Sequence, residues 1–212
     1  MTRRQEERSQ ATRAALVGHA RRLFAERGYA NVPADEVVTA AGVTRGALYH
    51  HYGDKQGLFR AVFEELEREV TEQIAEAVAG ETDVWPSMMR GLAAFLDACE
   101  RPEVVRIALT DAPAVLGWRT WREIEAEHGL GLITIALDRA VAEGVIAPQP
   151  VPVVAQLVLG AVIEAALLIA AAEDREAARA SAERSLHALV AGLRVDAPVP
   201  GADRGTGARD RR

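Results

Sequence analysis

Apolar residues recur at helical spacing along most of this chain. Leu16, Ala20, Leu23 and Phe24 fall at i, i+4, i+7 and i+8, which puts them on one face and predicts a helix over residues 12–27. Ahead of it, residues 1–10 are charged, carry no apolar stripe and read as a polar arm. Gly28 stands just past the helix end, where Tyr29 can close over the last turn. Pro33, then Asp35 and Glu36, then Gly42 mark the start, the dipole-compensating first turn and the end of a second helix over 34–41. Thr44 caps a third, short helix, with Val43 and Leu48 spaced as a hydrophobic staple. Three helices joined by short glycine-containing turns have helix-turn-helix spacing, and Val32, Val37, Ala41, Leu48 and Tyr52 are left to form their shared core. Asp54 caps a long helix over 55–79 whose Leu58, Val62, Leu66, Glu69 and Ile74 side is half apolar and half charged, as suits a connector between two domains.

Beyond the break at Gly80–Asp83 the pattern resumes. Met88, Leu92, Phe95, Leu96 and Cys99 predict a helix over 85–99, and Pro102 and Pro113 bracket a short one. Residues 117–128 carry Trp118, Trp121 and Ile124, and 130–143 carry Leu132, Ile133, Ala136, Leu137 and Val141. A proline-punctuated link, 147–152, precedes two alanine- and leucine-rich helices over 153–172 and 174–193. From Asp196 onward periodicity stops, and 196–212 reads as a disordered tail. The fold class is all-α. The domain reading is an arm and helix-turn-helix head over 1–54, a connecting helix over 55–80, a helical body over 81–195 and the tail.

Composition narrows this further. Hydrophobic residues make up 49% of the chain and aromatics 5%, so a core must be built largely of alanine, leucine and valine. The single cysteine, Cys99, excludes an internal disulfide, reads as an inert buried thiol and suits a reducing cytoplasm. The polar, arginine-rich opening is unlike a signal peptide, and the apolar stretch near 151–172 contains Pro152, Gln156 and Glu164, which favours a buried helix over a membrane span. Net charge is −6, but residues 1–55 hold nine Arg or Lys against six Asp or Glu; the head is therefore +3 and the remainder −9. A basic head on an acidic body turns one end of the molecule toward a polyanion.

Residues 43–55 carry the candidate chemistry. The outward face of the third helix is Arg45, Gly46, Ala47, Tyr49 and His50. A guanidinium at a recognition helix's start matches guanine O6 and N7, and the Ala47 methyl can meet a thymine. Gly46 costs about 1 kcal/mol relative to alanine inside a helix, which close approach to a groove would justify. Thr44 is an N-cap that can also take a phosphate contact. Tyr49, His50 and His51 either touch phosphate or pack; adjacent histidines point apart on a helix, and no third metal ligand lies near. Lys55, the single lysine of the chain, stands at a helix N-terminus where a cation is unfavourable, and a phosphate brought there would explain it.

These residues resemble the TetR family of bacterial repressors. The match runs through Gly28-Tyr29, then Gly42-Val43-Thr44-Arg45-Gly46-Ala47-Leu48-Tyr49-His50-His51-Tyr52, then Lys55 and Leu58-Phe59, and is dense over residues 10–60. One departure is Pro33-Ala34, where the family usually begins its second helix with Thr or Ser. The resemblance implies DNA contacts from Thr44, Arg45, Gly46, Ala47, Tyr49, His50, His51 and Lys55. It also implies a ligand-binding body that dimerises through its last two helices, about 153–193. The expectation is a cytoplasmic, homodimeric, ligand-responsive transcriptional regulator. It would act as a repressor on double-stranded DNA at a pseudo-palindromic operator and be released by a small, largely apolar effector, with no cofactor, metal or membrane partner. An activator or a sequence-tolerant DNA binder is the alternative.

An enzyme is disfavoured. No Ser/His/Asp, Cys/His or metal-spaced set occurs, His19, His128 and His187 are isolated, and Asp97 and Asp111 have no evident partners. In the body, Met88, Leu92, Phe95, Leu96, Trp118 and Trp121 are core residues or, taken together, the wall of an apolar cavity. Glu164 is either half of an ion pair across a dimer seam or a polar anchor for a ligand.

Overall fold

The computed structural model describes residues 3–195; the tail assigned to disorder, 196–212, lies outside them. Among the described residues the chain is all helical apart from turns and one isolated bridge pairing Ile146 with Arg194. The order is α1 (Arg3–Arg27), α2 (Ala34–Ala40), α3 (Arg45–Tyr52), α4 (Lys55–Val78), α5 (Val84–Ala98), a π-helix (Val104–Asp111), α6 (Ala112–Glu127), α7 (Gly129–Ala142), α8 (Val151–Ala171) and α9 (Arg175–Ala191).

Two elements differ from the sequence pattern. The residues read as a polar arm are the first turns of α1, which begins at Arg3. They are exposed and lack an apolar stripe, but Arg, Gln and Glu are good helix formers and Arg3 pairs with Glu7 one turn on. Apolar periodicity reports burial, so it is silent on a helix that buries nothing. The second difference lies between Pro102 and Pro113. The helix there is wound as a π-helix, with the Thr110 hydroxyl donating to the Val105 carbonyl five residues back at 2.9 Å, and it runs directly into α6. Pro113 does not end it, because proline is tolerated in the first turn of α6. The break comes at Gly117, whose φ of 78° splits α6.

Helix α4 runs through the centre. Leu58, Phe59, Val62, Phe63, Leu66 and Val70 are buried in one apolar core that also takes Leu16, Phe24, Val37 and Leu48 from the head and Leu96, Ile107, Trp121 and Leu159 from the body. Phe24 and Tyr29 close on Phe59, with ring centroids 5.4 and 5.1 Å away. A second, smaller cluster around Val84, Leu137, Ile146 and Val151 closes the far end of the body.

Polar ties reinforce the junction. The Arg21 guanidinium of α1 donates to both carboxylate oxygens of Glu69 on α4 (2.6 and 2.7 Å) and to both of Glu103, just before the π-helix (2.8 and 3.1 Å). These bonds hold Glu69 below the usual carboxylate range. Arg21→Met should lower stability by about 2 kcal/mol, because two part-buried carboxylates lose their donors while solvent screens the remainder. Chemical denaturation checks this, and an unchanged midpoint would remove Arg21 from the ties that matter.

Candidate functional site

The display face of α3 is held from behind. Leu48 is fully buried, while Thr44, Arg45, Gly46, Tyr49 and His50 are exposed and Ala47 is half-buried. Gly42, at φ 65°, supplies the left-handed residue that the tight turn between α2 and α3 needs. The Thr44 hydroxyl accepts from the Ala47 amide at 3.2 Å, as an N-cap does. At the other end the Asp54 carboxylate accepts from the Gly57 amide at 2.7 Å. A Cβ on Gly57 would stand 2.0 Å from the Tyr52 carbonyl oxygen, so only glycine lets α4 start this close to the end of α3.

The polar groups of α3 divide into two sets. Arg45 lies 3.2 Å from an Asp35 carboxylate oxygen and donates to the Tyr49 hydroxyl at 3.1 Å, which holds both side chains out along the helix surface. His51 faces inward to α1, its Nδ1 accepting from Arg13 Nε at 3.4 Å, while the Tyr52 hydroxyl donates to the Arg13 carbonyl. Partial burial, then the neighbouring His50 and Arg13, lower the His51 pKa and keep the ring neutral and able to accept. His51 thus braces α3 on α1, and His50 is the outward histidine.

Lys55 has a structural reason that its sequence position hides. Its ammonium donates to the carbonyls of Tyr29 and Val32 at 3.0 Å each and sits 3.9 Å from the Tyr29 ring centroid. Lys55 therefore ties the start of α4 to the turn between α1 and α2, and a cation at that helix N-terminus is accounted for without a phosphate.

The body contains a cavity of about 310 Å³ lined mainly by α4, α5, α7 and α8, with single residues from α6 and α9. Met88, Leu92 and Phe95 line it, together with Ile74, Ile133 and Val162. The other expected wall residues stand elsewhere. Leu96 is one position past Phe95 and turns into the main core. Trp118 is 64% exposed, its ring tilted against Trp121 with centroids 5.1 Å apart and Arg122 over both rings. Trp121 is buried in the core, and Glu164 is exposed on the outer face of α8. Helical register separates these residues from the cavity even though their helices form or flank its wall.

Two carboxylates face this cavity that apolar periodicity did not single out. Glu67 on α4 and Glu125 on α6 are 7% and 4% exposed, both line the cavity, and no side-chain hydrogen bond holds either. The signal lay in the register: Glu67 falls four residues after Phe63 and three before Val70, and Glu125 four after Trp121. Burial pushes the Glu125 carboxyl up to about 7, against a smaller lowering by Arg122. Burial and then the neighbouring Glu125 drive Glu67 well above its usual range. Cys99, buried beside them, is pushed up to about 12 and is inert as a nucleophile. Among the described residues no group of three or more His, Cys, Asp or Glu could hold a metal ion.

The sign of the resulting pH dependence follows from linkage. A carboxyl raised on folding contributes stability below its unfolded pKa and loses it as pH rises through the folded one. Glu125 therefore loses stability as pH rises from the ordinary carboxyl range to about 7, and Glu67 continues that loss above it. Glu69, lowered by Arg21, acts oppositely and only on the acid side. The melting temperature should fall between about pH 5 and about pH 8, and Glu67→Gln/Glu125→Gln should flatten that fall. Thermal melts across the range check it; an equal slope in the double variant would count against the pair.

Comparison with known proteins places this geometry. Residues 16–62 match the model of bacterial regulatory proteins of the tetR family, and residues 85–193 match the tetracycline repressor-like C-terminal domain. A crystal structure of a TetR-family transcriptional regulator from Pectobacterium atrosepticum is 36% identical, with a TM-score of 0.75, covering 92% of this chain and 98% of that one. The Transposon Tn10 TetC protein of Escherichia coli is 28% identical over 66% of this chain and 70% of its own length. The HTH-type transcriptional regulator TtgR of Pseudomonas putida is 38% identical over 41% of this chain, a match that spans 40% of TtgR. The chain belongs to the tetR family of bacterial regulatory proteins, DNA-binding regulators that respond to ligands.

Proposed function

We propose that the protein is a cytoplasmic, homodimeric transcriptional repressor that binds a pseudo-palindromic operator through α3 and is released when a small effector fills the body cavity. The observation that carries this reading is the face of α3. It is capped and packed from behind, yet it displays Arg45, Gly46, Ala47, Tyr49 and His50 to solvent on the one end of the chain with net positive charge. Arg45 reads a base edge, and Thr44, Tyr49 and His50 set the register on phosphate. His51 contributes by holding α3 against α1. Lys55 braces the head and offers phosphate whatever part of its ammonium its two carbonyl bonds leave free.

The dimer surface is the outer face of α8 with α9. Val153, Leu157, Gly160, Glu164 and Leu168 form one stripe of α8, and Leu157 is 69% exposed. Leu189 on α9 adds a further large exposed apolar side chain. By length and composition α8 would also satisfy a membrane span, but the described helix has Glu164 within the stripe and buries its opposite face in the core, as a helix at a protein–protein seam does. Two heads related by the two-fold axis then meet successive major grooves.

The link between cavity and head is a run of contacts through the π-helix and the start of α6. The Asp111 carboxylate accepts from the Tyr29 amide at 2.8 Å, Arg21 grips Glu103, and the Gln56 amide donates to the Val115 carbonyl at 2.6 Å. Movement of α6 when the cavity fills would pull on the same turn that Lys55 holds, altering the spacing of the heads. Such a switch needs an effector that binds the released state more tightly by several kcal/mol.

Two measurements test this reading. Selection from random duplex DNA should return a pseudo-palindrome, and Arg45→Ala should relax one base pair per half-site by about 1–3 kcal/mol. If the variant returns an unchanged motif, Arg45 is not a base reader; if selection returns no motif, the operator model fails. Leu157→Glu should raise the dimer dissociation constant roughly a hundredfold by burying an unpaired charge, and should abolish operator binding. Sedimentation analysis that finds a stable dimer of the variant would move the interface away from α8.

A further inference from the structure

The two cavity carboxylates have no role in holding the body together. Each is desolvated in an apolar enclosure, where an apolar side chain of similar volume would be lower in energy. The cations near them make their contacts elsewhere, apart from one buried Arg101 nitrogen without a partner, and Arg101 does not line the cavity. Arg122 lies over Trp118 and Trp121, and Arg139 pairs with Glu143 and donates to the Thr82 carbonyl. Arg101 lies within ion-pair distance of Glu69 and Glu103, and Arg179 of Asp97, Glu100 and Glu183. Glu81, at another part of the lining, is taken by Arg90. One turn after Glu67, the Thr71 hydroxyl also borders the cavity, buried and without a hydrogen-bond partner. Three polar side chains thus converge on an apolar space and their partner is missing from the chain.

We propose that the effector is an amphipathic organic cation, a protonated alkyl or aryl amine, whose ammonium lies between Glu67 and Glu125 and whose apolar body lies along Leu92, Phe95 and Ile133. This rests on the reading of the cavity as the effector site. An ammonium brings up to three N–H donors, matching two carboxylates and the Thr71 hydroxyl, and it supplies the charge that no side chain supplies. An anion would meet two acidic groups and no free cation. A wholly apolar molecule would leave all three polar groups unpaired. The volume of about 310 Å³ is at the small end of small-molecule sites and suits one short chain or ring rather than a large polycyclic cation.

Burial raises both carboxyls, Glu125 to about 7 and Glu67 in the same direction, so the pair retains a proton near neutral pH and an arriving ammonium takes its place. The groups around the pair leave this exchange to the carboxylates themselves: Cys99 at the end of α5 stays a thiol, and the cations nearby, Arg122 of α6, Arg101 before the π-helix, Arg139 of α7 and Arg179 of α9, are all arginines. Binding should therefore release a proton and tighten as pH rises, since an alkylamine remains protonated well above neutrality.

Titration calorimetry of the full chain with decylammonium, decan-1-ol and decanoate, each below its aggregation limit, tests this. Decylammonium should bind at least about tenfold more tightly than the alcohol, with decanoate weakest, and should release protons in paired buffers of different ionisation heat. Glu67→Gln/Glu125→Gln should erase the preference while leaving the alcohol bound. Equal affinity for ammonium and alcohol, a preference that survives the double variant, or binding without proton release overturns the proposal. Should the double variant not fold, the wild type decides: a roughly tenfold gain in ammonium affinity from about pH 6 to about pH 8 supports it, and no gain overturns it. Leu92→Trp, which fills the cavity, separates the two readings. Alcohol binding that survives it, or no binding of any of the three to the wild type, removes the cavity as the effector site. Alcohol binding lost in Leu92→Trp, with no ammonium preference in the wild type, removes the cation alone.

Discussion

Burial of the apolar face of α4 against both head and body is the constraint from which the rest of the molecule follows. Its Phe59 and Phe63 belong to the same core as Phe24 and Leu48 of the head and Ile107 and Trp121 of the body. A helix that shares one core with both ends cannot shift for one without being felt by the other, because close-packed interiors transmit displacement rather than absorb it. The first turn of α4 is also fixed from outside: Gly57 lies against the Tyr52 carbonyl, and Lys55 is clamped to the turn after α1. The position of α3 is set by the seat of α4.

Two acidic residues of that helix show how placement decides chemistry. Glu67 and Glu69 are two positions apart and therefore point to nearly opposite sides. Glu69 meets Arg21, is held ionised and fastens head to body. Glu67 meets Glu125 across an apolar space and is held protonated. The first has its counter-charge within the chain, and the second does not. An unpaired carboxyl in a core is a lasting cost to stability, and a cost of that kind is understandable where a ligand removes it.

The π-helix gives the body a direct hold on the head. Its last residue, Asp111, receives the Tyr29 amide, and Tyr29 in turn accepts from Lys55 through its carbonyl. Glu125 stands further along the continuous helical run that begins there, interrupted at Gly117. The break makes the segment near the cavity a separate lever from the segment that touches the head. Residues of the π-helix, α6 and α4 thus connect the carboxyl pair to the turn before α2 through packed side chains and named hydrogen bonds.

The repeating pattern of apolar residues, the caps and the glycines determined the all-helical class and the bounds of most helices, and the run from Gly42 to Lys55 determined the family. These are local matters: a cap, a staple and a turn depend on residues a few positions apart. What lay beyond the pattern was decided at longer range. The amino-terminal turns of α1 form without any buried face, so periodicity could not mark them. Lys55 looked unexplained because its partners are the carbonyls of Tyr29 and Val32, more than twenty residues away. Asp97 and Asp111 looked isolated, and their partners, Arg179 and the Tyr29 amide, are each 82 positions distant. Leu96, Trp118, Trp121 and Glu164 lie on cavity-forming or neighbouring helices, yet their position in the helical turn took each away from the cavity. The same geometry brought Glu67 and Glu125 together from positions 58 apart, and only the packing of several helices around an apolar space could give that pair its charge state.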